Sequence, residues 1–231
     1  MARTGTRRFG GSGLRRYRLW ALPAVALVIT FAALAWFTPL LSVRQVRIEG
    51  AGAIPKDRIE DLLQVPERGS ILRIDTAAMA ARVASIPKVR SARVQRVLPS
   101  TVRVRIEERT PVLYYDTPEG AHLLDSESIE YAIEPAPIGV PQLLTARPGG
   151  TDTLTRAAIT VVTALPPELE IQVETVHADT VSDISLTLRD GRTVLWGSSE
   201  DGERKSAVVL PLLTRPGTVF DVSSPSLVTV K

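Results

Sequence analysis

RSARVQRVLPSTVRVRIEER, residues 90–109, carries six arginines in twenty positions, and its reading decides the fold. A phosphate-gripping patch and the wet side of a sheet would both carry such charge. The spacing separates them, because Val102, Val104 and Ile106 alternate with Arg103, Arg105 and Glu107, the period of a strand with one buried face. No aromatic residue interleaves the basic ones, as happens where single-stranded nucleic acid stacks. The stretch predicts two strands, over 89–97 and 101–109, flanking Pro99-Ser100.

Upstream, VRQVRIEG (43–50) alternates Val46 and Ile48 against Arg47 and Glu49 and stops at Gly50, a short strand. A helix is predicted from Pro55, with Ile59, Leu62 and Leu63 on one face. A second helix follows GSILRID (69–75). Asp75 is placed to cap it, Met79, Val83 and Ile86 fall on one face, and Pro87 ends it. The order is strand, helix, helix, strand, strand. Helices on one face of such a three-stranded sheet leave the other face wet, which accommodates the arginines.

Further upstream, LWALPAVALVITFAALAWFTPLL (19–41) has no charged residue. At about 1.5 Å per residue it reaches roughly 35 Å, enough to cross a hydrocarbon core of about 30 Å. Trp20 and Trp36-Phe37 lie near its ends, where amphipathic rings favour the interface. Ala33-Leu34-Ala35 has the form of a signal-peptidase site, but the apolar run continues six residues beyond it, so the reading is an uncleaved anchor. Residues 1–18 hold six arginines and no acid, a basic tail that places the N-terminus in the cytoplasm by the positive-inside rule. The rest of the chain then lies outside the cytoplasm. The formal charge of +3 conceals this asymmetry. With no cysteine in 231 residues, disulfide frameworks, thiolate metal sites and cysteine nucleophiles are excluded.

After Pro111 the pattern turns to short strands. Val112–Tyr115 leads to the turn Thr117-Pro118-Glu119-Gly120, and His122–Asp125 returns. Pro135, Pro137 and Pro141 argue against an ordered meander before a helix opened by Thr151 or Asp152, with Ala158, Val161, Val162 and Leu165 on one side. ISLTLRDGRTVLWG (184–197) reads as a hairpin turning at Asp190-Gly191. Residues 204–214 are helical in pattern, bent or shortened by Pro211. FDV (220–222) and SLVTVK (226–231) close the chain as strands.

The two histidines, His122 and His177, stand 55 residues apart without metal-ligand spacing, and read as surface or edge residues. GGSG (10–13) has no Lys-Ser/Thr behind it, so it is no phosphate loop. Neither a catalytic site nor a cofactor or metal is predicted.

The run from Pro87 to Pro111, PKVRSARVQRVLPSTVRVRIEERTP, together with VRIEG (46–50) and GSILRID behind a single apolar segment, resembles the POTRA domain of the FtsQ/DivIB cell-division proteins. The later chain resembles the β domain of the same family, although LLDSES (123–128) carries serine where glycine is usual. The resemblance implies an α+β fold: a cytoplasmic tail over 1–18, a transmembrane helix over 19–41, a POTRA domain (β-α-α-β-β) over 43–111, and a mixed β-rich domain with short helices over 112–231. It implies a non-enzymatic divisome scaffold in the cell membrane at the septum. That scaffold would recruit FtsB/DivIC-like and FtsL-like single-pass partners and link early assembly to septal peptidoglycan synthesis. The partner-binding region carried over is Pro225, Ser226, Leu227, Val228, Thr229 and Val230, with Gly197 and Lys205 as neighbours; Arg90, Arg93 and Arg96 become a recruitment surface. A terminal strand at a sheet edge offers unpaired backbone groups to a partner strand. A different reading of the same plan is an anchored transport or chaperone module that binds extended polypeptides through its POTRA domain.

Overall fold

The computed structural model describes residues 23, 25–27, 30, 41–66 and 69–231. The predicted anchor over 19–41 lies outside them, apart from Pro23, Val25, Ala26, Leu27, Thr30 and Leu41. Among the described residues no helix is long and apolar enough to cross a membrane. The chain forms two compact units: residues up to 86 with 91–107, and residues 87–90 with 108–231.

The first unit follows the predicted order. Strand β1 (Gln45–Glu49) precedes helices α1 (Lys56–Leu63) and α2 (Thr76–Ala84), then β2 (Val89–Val97) and β3 (Thr101–Glu108). The sheet order is β1-β3-β2, with β1 parallel to β3, Arg47 beside Arg103 and Glu49 beside Arg105. Asp75 caps α2 by accepting from the Ala77 and Ala78 amides, both at 3.0 Å, as its place before the apolar period predicts. Arg82 donates to the Leu62 and Leu63 carbonyls and satisfies the end of α1. Ile59, Leu63, Met79 and Val83 from the helices are buried together with Val94, Val102, Val104 and Ile106 from the strands. The alternation that opens the sequence is thus the boundary between core and solvent. Gly50 ends β1 at φ 85°, where a Cβ would stand 2.1 Å from the Ile106 carbonyl oxygen, so only glycine fits.

The second unit is one nine-stranded mixed sheet, ordered β12-β11-β10-β9-β8-β7-β4-β5-β6. Its strands are β4 (Leu113–Thr117), β5 (Gly120–Leu124), β6 (Glu130–Glu134), β7 (Gln142–Leu144), β8 (Val173–Thr180), β9 (Asp183–Leu188), β10 (Thr193–Gly197), β11 (Val219–Asp221) and β12 (Thr229–Val230). Helices α3 (Thr153–Thr163), α4 (Pro167–Glu170) and α5 (Gly202–Leu213) complete it. The core joins Ala158, Val161, Val162 and Leu165 to Trp196, Leu186, Leu188, Val209 and Phe220.

Two expectations are corrected. The proline-rich stretch does hold order: β7 follows Pro141 directly and pairs in parallel with both β4 and β8, Pro141 contributing its carbonyl to the Tyr114 amide while its missing donor falls before the strand. Helix α5 runs through Pro211 and ends two residues later, at Leu213. The closing strand is two residues long rather than six, for Leu227 N–H turns back to the Ser224 carbonyl at 2.9 Å.

Ser128 adopts φ 62°, a left-handed conformation that costs an L-residue roughly 1–2 kcal/mol. Ser128→Gly is expected to stabilise the second unit by about 1 kcal/mol, read as a higher midpoint in urea unfolding.

Candidate partner-binding site

The predicted contact residues gather at one end of the nine-stranded sheet. Strand β12 is the sheet's last member and pairs antiparallel with β11, Phe220 facing Val230 and Asp221 facing Thr229. Lys231 and Val219 exchange both backbone hydrogen bonds, at 2.9 and 3.0 Å. In an antiparallel ladder such pairs alternate with pairs that make no mutual bonds. The N–H and C=O of Val230 therefore point away from β11, toward the open edge. Val230 and Val228 pack their side chains on the core, whereas Thr229 is exposed and Leu227 is 74% exposed. The site has a backbone edge, one protruding leucine and a valine pair that fixes the strand beneath them.

A groove of about 530 Å³ lies between α5 and the segment that leads into β12. Asp201, just before α5, with Arg204 and Val208 on it, forms one wall and Ser223–Ser226 the other, so Pro225 and Ser226 belong to the groove rather than to the strand. Arg204 and Val208 carry no sequence signal beyond their place on a helical face. Gly197, at φ 78°, allows β10 to pass where a Cβ would approach the Ser223 Cβ to 2.9 Å. Lys205 is only 1% exposed. Its Nζ donates to the Ser198 carbonyl at 2.8 Å and lies 6.0 Å from the Trp196 ring centre. Burial lowers its pKa, against the opposing charges of Asp201 and Glu200. A buried ammonium cannot touch a partner, so Lys205 ties down the turn into α5 instead of lining the surface.

The arginine trio does not share a face. Arg90 pairs with Glu127 at 3.2 Å, Arg96 donates to the Ile74 carbonyl at 2.6 Å, and Arg93 is exposed.

His122 is more enclosed than its sequence suggests. It stacks on Tyr115 with ring centres 4.8 Å apart. Its Nδ1 lies 2.6 Å from Glu130 Oε1 and its Nε2 3.0 Å from Thr117 Oγ1, while the Tyr115 hydroxyl donates to Glu130 Oε2 at 2.7 Å. Burial, then that hydrogen bond and the charge of Glu130, push the Tyr115 phenol far up, so it is no activated nucleophile. Burial alone would raise the Glu130 carboxyl, but hydrogen bonds from Tyr115 and His122 and the His122 charge hold it below its usual 4.5. A depressed carboxylate stabilises the fold fully above its unfolded pKa and loses that contribution as pH falls through the folded value. Acid is therefore expected to loosen the β5–β6 hairpin only below about pH 4.5, seen in the amide spectrum, and Tyr115→Phe to move that loss to higher pH.

A sheet-and-helix unit of this order, joined to a strand-edged β unit, defines the class: residues 41–109 match the POTRA domain, FtsQ-type. The chain is 44% identical over 228 residues to cell division protein FtsQ of Mycobacteroides abscessus, covering 96% of this chain and 74% of that protein. It is 32% identical to cell division protein FtsQ of Corynebacterium glutamicum, covering 90% and 94%. Against cell division protein FtsQ of Mycolicibacterium smegmatis the identity is 43%, and the chain spans 64% of that protein's length. The chain belongs to the FtsQ family of bacterial cell-division proteins.

Proposed function

We propose that this chain is a non-enzymatic, single-pass scaffold of the septal division machinery, anchored through residues 19–41 with its N-terminus in the cytoplasm. Its chemistry is recognition. The observation that carries this is the open β12 edge, whose outward Val230 amide and carbonyl offer a ladder to an incoming strand. The partners are FtsB/DivIC-like and FtsL-like single-pass proteins, seated along β12 and the adjoining groove, and through them early assembly is joined to septal peptidoglycan synthesis.

Binding of residues 44–231 to the extracytoplasmic segments of those two partners tests the reading, with Val230→Pro as the variant. Proline there deletes a donor facing the open edge and none of the bonds to β11. The expected result is an affinity loss of about tenfold or more in a protein that stays folded. Equal binding by both proteins rejects strand addition. Binding of diverse unfolded chains in place of these partners supports the transport or chaperone reading.

A further inference from the structure

Among the described residues, the helix-free face of the first unit's sheet carries more arginines than acids. Side chains alternate along a strand, and the register places Arg47 beside Arg103 and Glu49 beside Arg105. The Ser91 hydroxyl donates to Glu107 at 3.0 Å, which puts Arg93 and Gln95, of the same parity as Ser91, on this face too. Four arginines thus meet two glutamates. Glu49 is already shared by Arg103 at 3.3 Å and Arg105 at 3.1 Å. Among the described residues Arg47 and Arg93 enter no ion pair, and both are exposed. Like charges directly opposite on neighbouring strands are unfavourable. A second copy of this face would only add to that repulsion.

The position of the face names its occupant. Leu41 is the last residue of the apolar run, and its carbonyl already accepts from the Ile71 amide at 2.7 Å, while the Val43 amide donates to Gly69. No slack linker intervenes before β1 opens at Gln45. Four residues span at most about 14 Å, little more than the ~10 Å over which salt at about 0.1 M screens a surface charge. Guanidinium groups bind phosphate oxygens in paired geometry. We propose that the arginine face of the first unit, centred on Arg47 and Arg93, binds the phosphate headgroups of anionic lipids in the bilayer that holds residues 19–41. The proposal rests on the membrane-anchor reading above.

The chain has no cysteine, so a single one can be introduced and labelled. The full chain carrying Gln95→Cys with a fluorophore is placed in nanodiscs of phosphatidylcholine, with or without phosphatidylglycerol, containing headgroup spin-labelled lipid. Asp61→Cys on exposed α1 serves as the control. Quenching at position 95, dependent on phosphatidylglycerol and reversed by high salt, is expected, with little at position 61. Arg47→Gln and Arg93→Gln should each weaken the dependence about fivefold, the worth of one basic residue near a charged surface. Equal quenching in both disc types, or none in either, overturns the proposal while the anchor stands. A label that responds to polyglutamate and ignores the lipid assigns the face to an acidic protein and also overturns it. A chain that fails to enter discs removes the anchor reading, and the proposal falls with it.

Discussion

Replacing Arg109 by alanine is expected to destabilise the second unit by about 3–5 kcal/mol, the usual effect of stranding one charge of a buried pair. The Arg109 side chain is 12% exposed and that of Asp125 is 4% exposed, so little solvent screens them. Desolvation alone would lower the Arg109 pKa, but hydrogen bonds to Asp125 and Glu127 and their charges raise it instead. The pair also has reach. The same Asp125 carboxylate accepts from the Glu127 and Ile129 amides at 2.9 and 2.8 Å, so it shapes the turn between β5 and β6. Removing the guanidinium leaves an anion that water reaches poorly and that cannot move away without unmaking that turn. Trp196 is the sole tryptophan of residues 44–231 and lies at 0% exposure in the second unit's core. Its fluorescence during urea unfolding therefore reports the second unit alone, which matters because two units need not unfold together. Arg109→Lys keeps the charge and loses the fork, and should fall between wild type and alanine. An alanine variant with an unchanged midpoint would show that the pair is solvated after all.

The first unit was legible because its strands are half-buried and its helices amphipathic, so that period and burial coincide at Val102, Val104 and Ile106. Strand β8 shows where that signal ends. Its register shifts between Val173 and Thr175 and again between Ala178 and Thr180, and its buried residues, Val173, Val176 and Ala178, follow no single period. An irregular ladder breaks alternation, and no local residue pattern announces it. Strand β7 was hidden differently: three residues beside a proline carry too little pattern, and their order comes from neighbours on both sides. Residues 226–231 could be read as a strand from their alternation, and the sheet order sets Thr229–Val230 at an edge. The groove could not, because Arg204 and Val208 meet Ser223–Ser226 only through the packing of α5, which local periodicity does not encode. Lys205 is the same lesson in reverse, a charged residue on a helix that a sequence reader places in solvent and the fold places under Trp196.

Gly217→Ala is expected to detach β12 while leaving the rest of the sheet in place. A Cβ on residue 217 would stand 2.3 Å from Val230 Cγ1 and 3.1 Å from the Lys231 carbonyl oxygen, and contacts so short force something to move. Val230 is β-branched and has few rotamers to retreat into, and it also packs against the core. The least resistant element is β12 itself, two residues long and held on one side only. The Thr218 and Val219 amides both donate to the Lys231 carbonyl, and the Lys231 amide to Val219. Hydrogen exchange at those three positions should accelerate at least tenfold, the signature of local opening costing at least about 1.4 kcal/mol less than in wild type. Trp196 fluorescence should barely change, because β10 is paired on both sides, to β9 and β11, and gains no clash. If strand addition at β12 is the mode of recognition, affinity for the two single-pass partners falls in step with the lost protection. Accelerated exchange with undiminished affinity would move the contact from the strand edge to the groove, and unchanged exchange would mean that Val230 yields to the new methyl group.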